Sequence, residues 1–335
     1  MNTLDLSFIS RFRSSFMGFA IFWIFFYHTG VDIPVLKHFF ALGWLGVDIF
    51  FFLSGFGLSA SLAKDSSFKR FFRKRFVRII PCWWIVLAGM AFFGSVVSLK
   101  GFPITAEDYF HWFSGTGWWL AGCNFEWYIP TLLVFYLLAP LLSSMSIRQL
   151  SICAVVAAII AVALSSGIVN CFNHVYMSYS RLPVYLSGFI MYKIWKSKAC
   201  ISFTNASGLA LIGALAFAIG FYVKSIDFIL GLTIARVFVS LLMVPMLFII
   251  SLLFKYTPIN RAMAFMGVIS LEMYLLHINS QFSHWVEANL LSGIHEWLVK
   301  LVWFAMVLTS AWVLHRGIDY INSLGSFKIY DTVKR

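Results

Sequence analysis

Apolar residues run along this chain in long blocks. They do not show the strict alternation of a half-buried strand or the narrow stripe of a surface helix. A helix that crosses the hydrocarbon of a bilayer needs roughly 20 mostly apolar residues. Blocks of that kind lie near 13–31, 39–62, 79–99, 127–145 and 151–170, and again near 181–195, 206–223, 228–253, 262–280 and 297–315. The pattern predicts an all-α, polytopic transmembrane helical bundle of about ten spans. No linker, repeat or low-complexity stretch divides it, so residues 1–335 read as one integral membrane domain with a short tail at about 316–335. The first block is followed by no small-residue cleavage site, and reads as a retained helix.

Composition sharpens this picture. Of 335 residues, 61% are hydrophobic and 11% charged, less than half the charge that soluble domains carry. Mean hydropathy is +0.87. The net charge of +12 would suggest nucleic acid in a soluble protein; in a membrane protein, basic residues gather in cytoplasmic loops and set orientation. With the N-terminus cytoplasmic, the inner segments hold nineteen Lys and Arg and the outer ones five: Lys37, Lys100, Arg181, Lys224 and Lys300. Both termini are therefore expected in the cytoplasm, with membrane lipids as partners and no nucleic acid.

The five cysteines show no C-x-x-C spacing and no metal-site pattern. Cys123 and Cys171 both fall in expected outer loops, where a disulfide is possible. The longest outer loop, about 100–126, is rich in Trp, Phe and Tyr. It can lie at the interface as an aromatic belt or re-enter to line a cavity.

Ionisable side chains at membrane depth are functional candidates because each costs several kcal/mol (about 2.5–3.5 on insertion scales). They are His28, Asp48, Arg236, Glu272 and His277, with Glu126 and Arg181 near block ends. At about 1.5 Å per residue, His28 stands roughly 22 Å beyond Arg13, and Asp48 about 13 Å into the second span. A short connection should place these two helices side by side, bringing His28 and Asp48 within reach of each other. A carboxylate that orients an imidazole makes a general base; a bond that merely ties two helices together is the plainer reading. Arg236 and Glu272 suggest a structural ion pair. His277 can be lining or packing.

Between the second and third blocks runs KDSSFKRFFRKRFVRIIPCWW, with seven basic residues in the fifteen positions 64–78, interleaved with Phe68, Phe71, Phe72 and Phe76. Arg75 and Arg78, three apart, share a face if the segment is helical, and Pro81 marks entry into the next span. A topology anchor on anionic lipid accounts for part of this cluster. Paired arginines with flanking aromatics also suit a polyphosphate on a flat base, such as a nucleotide or coenzyme A.

Several segments together resemble acyltransferase family 3, membrane enzymes that modify cell-surface carbohydrates. GWLGVDIFFFLSGFG at 43–57 is similar to the family's G-V-D-x-F-F-x-x-S-G-F signature, and FFRKRFVRIIP at 71–81 to its R-x-x-R-I-x-P segment. FFYHTG places His28 at the family's catalytic position. WYIPTLLVFYLLAPLL at 127–142, RLPVYLSGF at 181–189 and GVISLEMYLLH at 267–277 follow in the family's order. The resemblance covers about residues 13–280. It implies an O-acyltransferase moving an acetyl or other short acyl group from cytoplasmic acetyl-CoA or another acyl-CoA to a hydroxyl of a cell-surface or lipid-linked carbohydrate, without a metal. By the same resemblance His28 is the base or transient acyl carrier and Asp48 the signature's acid, while Arg75 and Arg78, with Arg73 and Lys74 beside them, hold the CoA phosphates. Asn124, Glu126, Trp127 and Arg181 are candidates for the acceptor sugar, and a bacterial plasma (inner) membrane is the implied location.

Two positions depart from the family. Its arginine eleven residues before the histidine is Met17 here, with Arg13 one turn below as a substitute, and an acidic residue of some related enzymes is Leu132. The last block is followed by no hydrolase-like domain, so transfer is expected to finish within the membrane domain. The alternatives are a transporter or flippase for lipid-linked sugars, or a non-catalytic scaffold or receptor. Two halves with matching broken helices, which the first would favour, are not evident in the sequence.

Overall fold

The computed structural model describes residues 3–30, 34–97, 105–122, 127–167, 174–198, 201–278 and 296–330. Among these, six helices are long and apolar enough to cross a membrane: α4 (Leu45–Lys64), α5 (Phe68–Val97), α9 (Ile147–Ser165), α12 (Phe203–Lys224), α13 (Phe228–Leu253) and α16 (Glu296–Tyr330). α14 (Thr257–Val268) and α15 (Ser270–His277), bent by 69° at a short break, pass the same test together and make seven. The remaining predicted blocks hold shorter helices, α2 (Arg13–Thr29), α8 (Tyr128–Ser144) and α11 (Leu182–Lys196). Short elements connect them: α1 (Ser7–Arg11), α3 (Lys37–Ala41), α6 (Ala106–Ser114), α7 (Thr116–Ala121) and α10 (Tyr176–Tyr179). A two-residue antiparallel pair, Thr3–Leu4 with Ile201–Ser202, ties the start of the chain to the start of α12.

Burial separates centre from periphery. α4 is buried over 78% of its apolar window, whereas α9 and α12 are buried over 11%. The outer helices therefore turn nearly all their apolar surface outward, as lipid-facing helices do, and α4 forms the centre with α2 and α11 against it. α2 and α14 approach backbone to backbone. A Cβ at Gly18 would strike the Met263 carbonyl, and one at Gly267 the Ser14 carbonyl. Small residues at the crossing let helices approach where no hydrophobic force drives them together.

Two elements differ from the sequence reading. The third span does not begin at Pro81: α5 starts at Phe68 within the basic segment and runs 30 residues through Pro81, about 45 Å. Phe68, Phe71, Phe72 and Phe76 recur at helical spacing, and Phe72 stacks on Phe76 at 6.0 Å, so the charges ride on a helix instead of ending it. The ninth block is broken at Ile269 between α14 and α15. Irregular backbone at that depth occurs where it lines a cavity or is buried in protein, and α15 carries Glu272, Tyr274 and His277.

The aromatic segment at 100–126 contains α6 and α7. Thr105 caps α6 in a reciprocal box with Asp108. Trp118 reaches the Ser178 hydroxyl at 2.8 Å, and Trp84 reaches the Phe113 carbonyl at 3.0 Å. The segment is thus pinned onto α5 and the α10 region by indole donors.

Candidate active site

The end of the bundle holding Arg13, Lys64 and Arg75 opens into a cavity of about 340 Å³, walled also by Ser54, Gly57, Ser61 and Tyr136. A second cavity, of about 290 Å³, shares Arg13, Ser54, Arg75 and Tyr136. It continues past Met17 and Arg78 to Tyr128, Leu132 and Tyr274, along the break between α14 and α15. The two adjacent spaces, here called the passage, share these four walls and run from a cationic entrance to an aromatic inner end.

Arg13 and Arg75 enter this passage from different helices, and neither has a carboxylate partner among the described residues. Their Nε atoms are buried without a hydrogen-bond partner. Arg13 lies against α4, where a Cβ on Gly57 would stand 3.0 Å from its Nη2 and push the guanidinium aside by a few tenths of an ångström. Arg75 rests over the Phe71 ring at 5.7 Å. Two guanidiniums facing one cavity without a counter-charge repel each other and favour an anion between them.

Arg78 is placed differently. It donates to Glu272 Oε1 at 2.6 Å and Oε2 at 3.2 Å, and to the Val268 carbonyl at 3.1 Å. Glu272 is fully buried, and His315 Nδ1 reaches the same Oε1 at 2.9 Å. A carboxylate only accepts, so that nitrogen carries hydrogen. Asp319 lies 3.3 Å from the other ring nitrogen. Glu272 is therefore paired with Arg78 and His315, and not with Arg236 as its level in the membrane suggested. Arg73 and Lys74 are exposed and line neither cavity.

At the far end of α2, His28 is exposed, its ring centre 5.4 Å from that of His277 and 5.1 Å from Tyr27. His277 stands 5.7 Å from Tyr274, which in turn meets Tyr128 at 5.0 Å. Side chains in van der Waals succession thus lead from the upper end of the passage to His28. Asp48 takes another partner than His28: its Oδ1 lies 3.2 Å from Arg181 Nε, with both side chains buried. α2 and α4 do pack together, but no hydrogen bond or ion pair joins His28 to Asp48 among the described residues. Arg181 also donates to the Met177 carbonyl and lies 4.6 Å over the buried Trp127 ring. Arg236 sits over Tyr176 at 5.0 Å and Trp44 at 5.5 Å.

Trp127 and Arg181 therefore belong to a buried cluster. Asn124 and Glu126 lie outside the described residues, as do Cys123 and Cys171; Cys82 and Cys153 are free thiols. In the sequence Arg13 is marked only as the substitute for Met17, and no motif marks Tyr128 or Tyr136 as lining residues. Met17 lines the same passage as Arg13, so the charge missing from one turn of α2 is supplied one turn below. An arginine opening a span, with no acidic residue near it on its own helix, was the available signal.

The family model of acyltransferase family 3, described as an acyltransferase domain, matches residues 18–316. A curated relative, "Putative acetyltransferase ORF330" of Acidianus two-tailed virus, is 28% identical over 282 residues, covering 78% of this chain and 80% of that protein. No solved structure matches. The chain belongs to acyltransferase family 3, and its function is acyl transfer in a protein with membrane-spanning helices.

Proposed function

We propose that the protein is an O-acyltransferase of ten spans, with both termini and the Arg13–Arg75 entrance facing the cytoplasm. It takes an acetyl or other short acyl group from acyl-CoA and passes it to a hydroxyl of a cell-surface or lipid-linked carbohydrate. The observation that carries this reading is the passage itself. Two arginines without counter-ions among the described residues stand at one end, and at the aromatic inner end Tyr274 meets the His277 ring, which in turn meets that of His28.

The donor's phosphates sit between Arg13 and Arg75, where charge-assisted hydrogen bonds are strongest. Lys64 adds a third positive charge at the entrance. Arg78 does not grip the phosphates; it is held by Glu272 and fixes the wall. The pantetheine arm threads the passage past Tyr136 and Tyr128 as far as Tyr274, and the thioester reaches His28 when the Tyr274 and His277 side chains turn aside. A His28 nitrogen removes the proton of the acceptor hydroxyl as its oxygen attacks the thioester carbonyl. The tetrahedral adduct collapses, the C–S bond breaks, and the CoA thiolate takes the proton from the imidazolium. The broken α14–α15 span is the one feature that favours transport of a lipid-linked sugar, and family membership weighs for transfer.

The test is acyl transfer from labelled acyl-CoA by purified protein carrying His28→Ala. Loss of turnover with CoA binding retained is expected. Near-normal turnover would remove His28 from the mechanism.

A further inference from the structure

His28 needs a partner to act as a base, because an imidazole free to exchange tautomers presents its lone pair to the acceptor only part of the time. The carboxylate that the sequence offered, Asp48, is taken by Arg181. What stands beside His28 is a second imidazole.

His277 is 3% exposed and sits between Phe25, at 5.8 Å, and Tyr274. Its Nδ1 lies 2.9 Å from the Met273 carbonyl. A carbonyl oxygen only accepts, so Nδ1 must carry the hydrogen and Nε2 must carry the lone pair. That Nε2 is buried and has no hydrogen-bond partner. A buried acceptor left empty forfeits about 1–3 kcal/mol, and the His28 ring is an adjacent group able to fill it. The spacing fits. An N–H···N bond of about 3 Å, with a ring radius of about 1.1 Å on each side, separates two imidazole centres by roughly 5 Å. The observed separation is 5.4 Å, with the ring planes 54° apart, which is within reach of such a bond.

We infer that His277 is the positioning residue for His28: its Nε2 accepts the His28 N–H and holds that ring in the tautomer whose other nitrogen faces the acceptor hydroxyl. The backbone carbonyl of Met273 fixes His277, His277 fixes His28, and the break at Ile269 is what brings α15 to this place. When His28 takes the acceptor's proton, the imidazolium keeps its N–H pointed at His277 Nε2 and is stabilised there. The inference rests on His28 being the base.

Three variants separate the possibilities. His277→Phe keeps the ring packing against Phe25 and Tyr274 but has no lone pair. His277→Gln retains an acceptor and a donor, and His28→Ala is the reference. Expected for His277→Phe is a kcat lowered roughly tenfold to a hundredfold, part of the 10²–10⁴ that general-base catalysis supplies, with an unchanged KM for acetyl-CoA. His277→Gln should recover much of the loss. In protein labelled with ¹⁵N-histidine, His28 should show one tautomer in the wild type and a mixture in His277→Phe. Wild-type kcat in His277→Phe alongside an inactive His28→Ala would overturn the inference and leave His28 as the base. An active His28→Ala would instead sink the underlying reading. If His277→Phe does not fold, the wild-type ¹⁵N spectrum decides, and an even mixture of His28 tautomers counts against the inference.

Discussion

Arg75 and Arg78 stand one helical turn apart on α5 and look equivalent in sequence, yet their replacement should have opposite consequences. Arg78 makes both of its carboxylate bonds to Glu272, at 2.6 and 3.2 Å, and Glu272 has no exposure. Removing one member of a buried pair typically costs about 3–5 kcal/mol, because the other charge is stranded. Arg78 is 38% exposed, and His315 stays 2.9 Å from the same oxygen, so the loss for Arg78→Ala falls nearer about 2–3 kcal/mol. Arg75 strands no carboxylate, and its loss relieves repulsion with Arg13. Arg75→Ala should leave the ligand-free protein as stable as the wild type or slightly more so. Its effect lies in donor binding, where each lost charge-assisted hydrogen bond is worth about 1.5–3 kcal/mol, roughly tenfold to a hundredfold in Kd. The assay is the melting temperature of purified protein in detergent with and without CoA, together with a CoA binding isotherm for each variant. Arg78→Ala should lower the melting temperature without CoA, and Arg75→Ala should reduce the CoA-induced rise. The reasoning fails if Arg75→Ala destabilises the ligand-free protein as much as Arg78→Ala does, or if only Arg78→Ala weakens CoA.

Three further outcomes follow from the same contacts. Gly57→Val places a side chain where Arg13 lies, so CoA affinity should fall about as far as in Arg13→Ala while the melting temperature changes little; an unchanged Kd would mean that Arg13 does not need that seat. Asp48→Ala leaves Arg181 buried without its carboxylate and should destabilise by about 3–5 kcal/mol, read as a lowered melting temperature; wild-type stability would show that the Trp127 ring and the Met177 carbonyl suffice. Asp65, at the exposed turn before α5, accepts hydrogen bonds from Arg70 at 2.9 Å and the Ser67 amide at 3.0 Å, which hold its carboxyl below the usual range. A depressed carboxylate contributes stability above its unfolded value and loses it as pH falls through the folded one. Protection of the amides at the start of α5 against hydrogen exchange should therefore persist to below about pH 4 and be lost below that, and Asp65→Asn should remove this dependence. The same pH profile in Asp65→Asn would refute the assignment.

Hydropathy made the helices legible because lipid leaves an unmistakable mark: α9 and α12 expose almost their whole length and must be apolar throughout. The start of α5 was readable from its phenylalanine spacing, but Pro81 and the density of charge before it pointed to a span beginning only near residue 79. The break at Ile269 had only Gly267, two residues before it, to announce it, and a single glycine within an apolar block is a weak breaker. Pairings were the least legible part. Adjacent helices pack together, as α2 and α4 do, but which faces meet depends on rotation about each axis, set by close approaches such as Gly18 with Gly267. That rotation gives Asp48 to Arg181 and Glu272 to Arg78. It also puts His277, from a segment 249 residues farther along the sequence, where a carboxylate was expected.

The central claim is that donor phosphates and reacting acyl carbon occupy opposite ends of one passage. A cryo-EM map of the protein with a non-transferable thioether analogue of acetyl-CoA tests it most directly. The phosphates should lie between Arg13 and Arg75, with the acyl carbon beside the His28 and His277 rings. A nucleotide bound elsewhere on the basic end, or an acyl carbon walled off from both imidazoles by Tyr128 and Tyr274, would contradict it.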